Sequence, residues 1–208
     1  MSTSVRSTLT NPLGLPALRQ LFFPEDRIVL VPDADYADKA NVLLEIIQTF
    51  LEEGAAPQQL TLLLTDAEEK SAITSLSSRL PKGIRLHFHH PEKRQMLARL
   101  GVNTNNKPIM LCRELVDADL VLTIGRFRVR SVQSHFGIHS AVFPRFSDSE
   151  TQRRFLSAGT SHRKLLAETE QVAALLGILF TIQFLHQKGQ PLQMAAGLPQ
   201  LVAETFYR

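Results

Sequence analysis

From Arg27 onward, short apolar runs alternate with longer segments in which apolar residues recur every three or four positions. Such alternation is the pattern of a parallel sheet whose strands are buried on both faces beneath crossover helices. The first run, Arg27-Ile28-Val29-Leu30-Val31, predicts a buried strand that Pro32-Asp33-Ala34-Asp35 terminates. Ala40, Leu43, Leu44, Ile47, Phe50 and Leu51 then form one apolar helix face, which Gly54 ends. Leu60 to Leu64 predicts a second strand, and Asp66 with Glu69 a capping box opening a helix that runs towards Arg79. Ile84 to Phe88 reads as a third strand, after which His89-His90-Pro91 leads into a short helix ending at Gly101.

Pro108 to Cys112 and Leu120 to Ile124 read as two further strands. Ser147 and Glu150 predict a capped helix over Asp148 to Ala158, and a second helix follows from Arg163 to Leu176. Ile178 to His186 and Leu192 to Ala196, joined by the turn-forming Gln187-Lys188-Gly189-Gln190-Pro191, predict a β-hairpin. The expected fold is therefore α/β: an open, mainly parallel sheet with helices on both faces, plus a C-terminal β-hairpin.

A chain of 208 residues, 44% of them hydrophobic, can bury one substantial core. Residues 21–208 are expected as a single α/β domain and residues 1–20 as a flexible leader, since Met1 to Thr10 is rich in Ser and Thr and lacks the apolar core and cleavage site of a secretory signal. With 23 basic against 20 acidic residues, the net charge of +3 is too balanced to mark a nucleic-acid partner. The stretch Val172 to Leu185 is interrupted by Gly177, Thr181 and Gln183 and falls short of the roughly 20 residues that span a bilayer, so no membrane association is expected. The single cysteine, Cys112, can form neither an intrachain disulfide nor a paired-cysteine metal framework, which suits a reducing compartment and a cytoplasmic location.

The irregular stretch from Gly125 to Ser147 is long enough to draw attention as a functional loop. It begins Gly125-Arg126-Phe127-Arg128-Val129-Arg130, directly after a buried strand, at the edge where open α/β sheets hold ligands. An extended backbone there puts Arg126, Arg128 and Arg130 on one face, either gripping a small anion such as a phosphate or carboxylate or lying as a solvated edge paired with acids. His135 and His139, four residues apart, are candidate metal ligands, although Gly137 between them argues against a rigid helix and two histidines are an incomplete site; ordinary hydrogen-bonded histidines are the alternative. His89 and His90 pose the same choice. Phe143-Pro144-Arg145-Phe146-Ser147-Asp148 precedes a capped helix whose free N–H groups suit an anion, or it is a proline-led helix entry with two packed phenylalanines. The chain holds no G-x-S-x-G elbow, no G-x-G-x-x-G fingerprint and no P-loop, which removes the corresponding hydrolase, dinucleotide and nucleotide-triphosphate readings.

Over Arg27 to Gly197 the sequence resembles the nickel-pincer-dependent lactate racemases in their N-terminal domain. The resemblance is carried by Gly101-Val102-Asn103-Thr104, Lys107 to Arg113 and Val116 to Gly125, and continues in order through Phe143-Pro144, Glu150-Thr151, Ala174 to Gly177 and Phe180 to Gln183. It implies 2-hydroxyacid racemase or epimerase chemistry, an isomerase reaction in which a nickel-bound pyridinium mononucleotide removes and returns a hydride while histidines act as acid and base. Carried over residue by residue, a catalytic histidine position falls at Arg130, the cofactor-tethering lysine position at Ser140 and a nickel-ligating histidine position at Leu156. The family's cofactor-holding Asp-x-Thr-Arg-Pro motif is replaced by Pro32-Asp33-Ala34-Asp35-Tyr36, which keeps Asp33 and Asp35 as candidate cofactor-binding acids and loses the arginine. Thr65-Asp66-Ala67-Glu68 stands where the family's other histidine is expected. The resemblance thus implies a family member with a degenerate active site and without the family's second domain. Three readings follow from it: a racemase with replaced ligands, a nucleotide- or carboxylate-binding module without turnover, and an assembly protein working as a homo-oligomer or with a separate partner chain.

Overall fold

The computed structural model describes residues 4–34, 39–103, 106–127, 138–157, 161–185 and 193–207. In chain order they form α1 (Val5–Thr10), β1 (Ile28–Pro32), α2 (Ala40–Glu52), β2 (Leu60–Thr65), α3 (Glu69–Leu76), β3 (Arg85–His89), β4 (Leu97–Val102), β5 (Pro108–Cys112), α4 (Arg113–Val116), β6 (Leu120–Arg126), α5 (Ser149–Leu156), α6 (His162–Leu175), β7 (Phe180–Leu185), β8 (Gln193–Gly197) and α7 (Pro199–Tyr207). Six strands make one sheet in the order β3-β2-β1-β6-β7-β8. All neighbours in it are parallel except the closing β7–β8 pair, so the expected mainly parallel sheet with a C-terminal hairpin is what forms.

The apolar runs are continuous because both faces of the sheet are covered. Ile28 and Leu30 of β1 point into a cluster with Leu43, Ile47 and Phe50 of α2 and Leu76 of α3, whereas Val29 and Val31 point the other way, to Leu115 of α4, Phe146 and Ala173 of α6. Period-two alternation therefore serves two hydrophobic layers, and a polar residue on either face of β1 would be buried. The chain runs outward from β1 to β2 and β3, then returns to β6 on the other side of β1. The crossovers after β1 and β6 lead to strands on opposite sides, which makes the carboxyl ends of these two strands the topological switch point of the sheet, the place where open α/β sheets commonly bind ligands.

Several expectations are corrected. The helix expected between His90 and Gly101 is instead a 3-10 turn, Arg94–Met96, followed by β4, which pairs antiparallel with β5 in a separate two-stranded sheet. Long-range pairing decides this: β4 and β5 together cover a small third core in which Leu100, Ile109 and Leu111 meet Phe143, Phe155 and Leu165. Two caps move by one residue. Thr65 with Glu68 opens the turn after β2, and Asp148, accepting from the backbone of Thr151 at 3.0 Å, caps α5 in place of Ser147.

The leader expected over residues 1–20 is, from Ser4 on, part of the fold. Ser4 and Ser7 form a capping box at the start of α1, and Val5, Leu9 and Leu18 join the main core. Leu13 then adds to the sheet edge: its N–H donates to the Ala196 carbonyl at 2.8 Å, and its own carbonyl accepts from Leu198 N–H at 2.9 Å. Gly197 permits this approach, since a Cβ there would sit 2.2 Å from the Leu13 carbonyl oxygen. Exposed edges are liabilities, and the segment covers this one. Leu9→Ala is expected to lower the unfolding free energy by about 2–5 kcal/mol in urea titration, as for other fully buried leucines. A loss below about 0.5 kcal/mol would mean that this segment does not contribute to the core.

Candidate functional site at the carboxyl edge of the sheet

Asp33 follows β1, and its backbone N–H donates to the Ile124 carbonyl of β6 at 2.7 Å, extending the parallel ladder by one bond. Its Oδ2 accepts from the backbone N–H of Arg126 at 3.2 Å, which ties the two strand ends together. Gly125 leaves room for this contact, since a Cβ there would lie 2.8 Å from that same carboxylate oxygen and push it aside. The Arg126 side chain is exposed at the end of β6, while Phe127 turns inward against Phe206 of α7 at a ring separation of 4.7 Å. Alternation thus holds at its first step. Arg128, Arg130, His135 and Asp35 lie outside the described residues.

The most constrained side chain at this edge is Arg145. Its guanidinium donates to the Pro32 carbonyl at the end of β1 and to the Glu68 carboxylate after β2. Both side chains of the pair are mostly buried, at 15% and 17% exposure. Glu68 is itself fixed, accepting from the Thr65 backbone N–H and hydroxyl at 2.8 Å each. Burial lowers the Arg145 pKa from its ordinary value, and Glu68 is the main opposing influence, followed by Asp33. The charge survives because guanidinium does not deprotonate in proteins, so removing Glu68 would strand it. Gln152 holds the segment from behind, its amide donating to the carbonyls of Arg145 at 2.8 Å and Ser147 at 3.1 Å.

His89, at the end of β3, is 1% exposed. Its Nε2 lies 2.9 Å from the Ser147 carbonyl, which can only accept, so Nε2 carries the proton and Nδ1 is a lone-pair acceptor with no partner among the described residues. Burial depresses its pKa, with the Ser147 carbonyl the largest opposing influence. His90 faces Asp66 at 3.9 Å. Arg145, Thr65, Asp66 and His89, together with Leu156 and Phe155 of α5, line a cavity of about 320 Å³ at the carboxyl ends of β2 and β3.

The remaining candidates fall elsewhere. His139 is buried in a 3-10 turn, Ile138–Ala141, with Nε2 3.6 Å from Glu170 of α6, and it does not line that cavity. Its pKa is depressed by burial, against the pull of Glu170. Ser140, beside it, is half-buried, and Leu156 is 87% exposed at the cavity mouth. Among the described residues no three His, Cys, Asp or Glu side chains converge as a metal site. Cys112 is buried and its thiol is pushed up to about 11 by desolvation, which makes it unreactive at neutral pH. Arg145 and Glu68 were not separable from surface charge by sequence pattern; the one signal was the packed Phe143-Pro144-Arg145-Phe146 cluster.

The fold and this edge define an open α/β domain in which β1 and β6 meet at a topological switch point. The family model for the lactate racemase N-terminal domain matches residues 1–155, and the chain belongs to that family. Among solved structures, the lactate racemase apoprotein from Thermoanaerobacterium thermosaccharolyticum superposes with a TM-score of 0.73 at 12% identity, over 97% of this chain and 54% of that one. A protein from Thermotoga maritima gives 0.61 at 15% identity, over 90% of this chain and 55% of that one. The chain therefore spans about half the length of each. No curated protein sequence matches it.

Three buried or half-buried histidines, His89 at this edge, His87 in β3 and His139 beside α6, have pKa values held below the ordinary 6.5. The unfolded chain binds protons on these rings at a higher pH than the folded chain does. Stability is thus fully present above about pH 6.5 and falls as the pH drops below it. Thermal melting between about pH 7.5 and 5.5 should show that decline, with a shallower slope in His139→Leu. A flat profile would contradict the buried neutral state of these rings.

Proposed function

We propose that this domain binds a small carboxylate- or phosphate-bearing molecule at the carboxyl ends of β1 and β6, without the nickel-pincer reaction. The observation that carries the reading is the chemistry at two positions where the family resemblance places cofactor contacts. Leu156 offers hydrocarbon at the cavity mouth where a nickel-ligating nitrogen is needed, and Ser140 offers a hydroxyl where a lysine amine forms the tether. A thiolate, imidazole or carboxylate can hold nickel and a leucine cannot. The described residues therefore do not fit the nickel-pincer nucleotide.

Anion binding is supported by placement. Arg126 projects exposed from the strand end at the switch point, with its backbone anchored on Asp33, and Arg128 and Arg130 follow at alternate positions in the sequence. A charge-assisted hydrogen bond to one such guanidinium contributes about 1.5–3 kcal/mol. The Thermoanaerobacterium protein is named for lactate, which makes 2-hydroxy acids the first ligands to try. The same reading keeps the protein in a reducing cytoplasm, on the strength of its single buried thiol, and among the described residues no helix is long and apolar enough to cross a membrane.

Lactate, a longer 2-hydroxy dicarboxylate and adenosine monophosphate should be tested for thermal stabilisation. At least one should raise the melting temperature, and Arg126→Ala should reduce that shift by about half or more, since stabilisation tracks ligand affinity. Absence of any shift, or one unchanged by Arg126→Ala, would overturn the reading.

A further inference from the structure

Leu156 is the most exposed large hydrophobic side chain among the described residues, at 87%, and it stands at the mouth of the cavity that Arg145 lines. That cavity asks little of a polar occupant. Arg145 is matched by Glu68 and the Pro32 carbonyl, Gln152 is bound to the carbonyls of Arg145 and Ser147, and Asp66 accepts from the Ala67 backbone N–H at 2.8 Å. His89 is bonded through Nε2 to Ser147, and its Nδ1 is sealed from water, so neither ring nitrogen is offered to the cavity. What remains is an apolar wall of Ala67, Pro91, Pro144 and Phe155, and about 320 Å³ is ample for a leucine side chain. Covering Leu156 and that wall together removes apolar surface of both from water.

The same helix carries charges that suit a second copy of itself. Glu150, Arg153 and Leu156 recur every three residues along the exposed side of α5. Among the described residues neither Glu150 nor Arg153 has an ion-pair partner, and Arg153 donates only through Nε, to the Ser149 carbonyl at 3.2 Å. Two antiparallel copies of α5, related by a two-fold axis between Thr151 and Gln152, set each Glu150 against the partner's Arg153, so the charge match is made twice. By the same symmetry each Leu156 falls opposite the partner's Ser147, close in sequence to the Pro144 that walls the cavity. A parallel pairing would instead oppose like charges.

We propose that α5 is a homodimer contact, in which Leu156 of each copy enters the other copy's cavity and Glu150 and Arg153 fix the antiparallel register. The patch is isologous, so the contact closes at two copies and does not propagate into a filament. It is also small, and the dimer is accordingly weak and forms as the concentration rises. Arg126 takes no part in it, and the anion reading stands or falls separately.

Sedimentation velocity of the whole chain from about 5 µM to about 1 mM should show a monomer–dimer equilibrium. Leu156→Glu acts twice in each dimer and should weaken association about a hundredfold. Glu150→Arg and Arg153→Glu should each weaken it about three- to tenfold, whereas the double variant, which exchanges the two charges, should return it to within about threefold of the original. Melting curves establish that each variant is folded. A chain that stays monomeric throughout, association unchanged in folded Leu156→Glu, or a double variant no stronger than either single one would each overturn the proposal. Growth beyond dimers would overturn it as well, since a closed two-fold contact stops at two.

Discussion

A guanidinium buried among three turns of chain organises the carboxyl edge of the sheet. Arg145 reaches the last carbonyl of β1 and the carboxylate that caps the turn after β2, and its own segment is held by Gln152 of α5. A buried charge of this kind is tolerated only while its partners are in place. The ends of β1 and β2, the entry to α5 and the walls of the adjoining cavity consequently share one set of contacts. Phe146, stacked 5.0 Å from the guanidinium carbon, and Phe143, packed edge-on against Phe155, bind that set to the cores beneath.

Much of the scaffold was legible in the sequence because it depends on local periodicity. β1, β2 and β6 are short, mostly apolar runs, and α2 carries its stripe at spacings of three and four, so the buried strands and a helix face to cover them were readable before any contact was known. β4 was not legible. Leu97 to Val102 contains Arg99 and Gly101, has no clean alternation and becomes a strand only through pairing with β5, including the register shift between Arg99 and Gly101. The leader misled for a related reason: its six-residue helix packs on α2 and β8, and Leu13 bridges to Gly197, partners that no local pattern discloses.

At the site, legibility followed the same division. The carboxyl edge after the buried strand that became β6 was singled out in the sequence, whereas the strand order that brings β1 beside β6 was not, and Asp33 and Arg126 meet there. The Arg145–Glu68 pair was not foreseen, since the two residues stand 77 positions apart and either charge, taken alone, reads as solvated surface. His89 was legible as a histidine at a strand end and not as one with a closed tautomer and an unused acceptor. His135 with His139 was an attractive spacing, yet the described member of the pair is turned to Glu170 in α6.

Membership of the lactate racemase N-terminal domain family and the proposed loss of its nickel chemistry are compatible, because the fold rests on the sheet and its two cores whereas the chemistry rests on a few side chains at the edge. The most direct test of that account is the nickel content and intact mass of the protein purified from cells that make the pincer cofactor. The account predicts nickel well below one equivalent and a mass with no covalent adduct. Nickel near one equivalent together with a nucleotide adduct would contradict it and show that other residues of this chain had taken over the roles that Ser140 and Leu156 cannot fill.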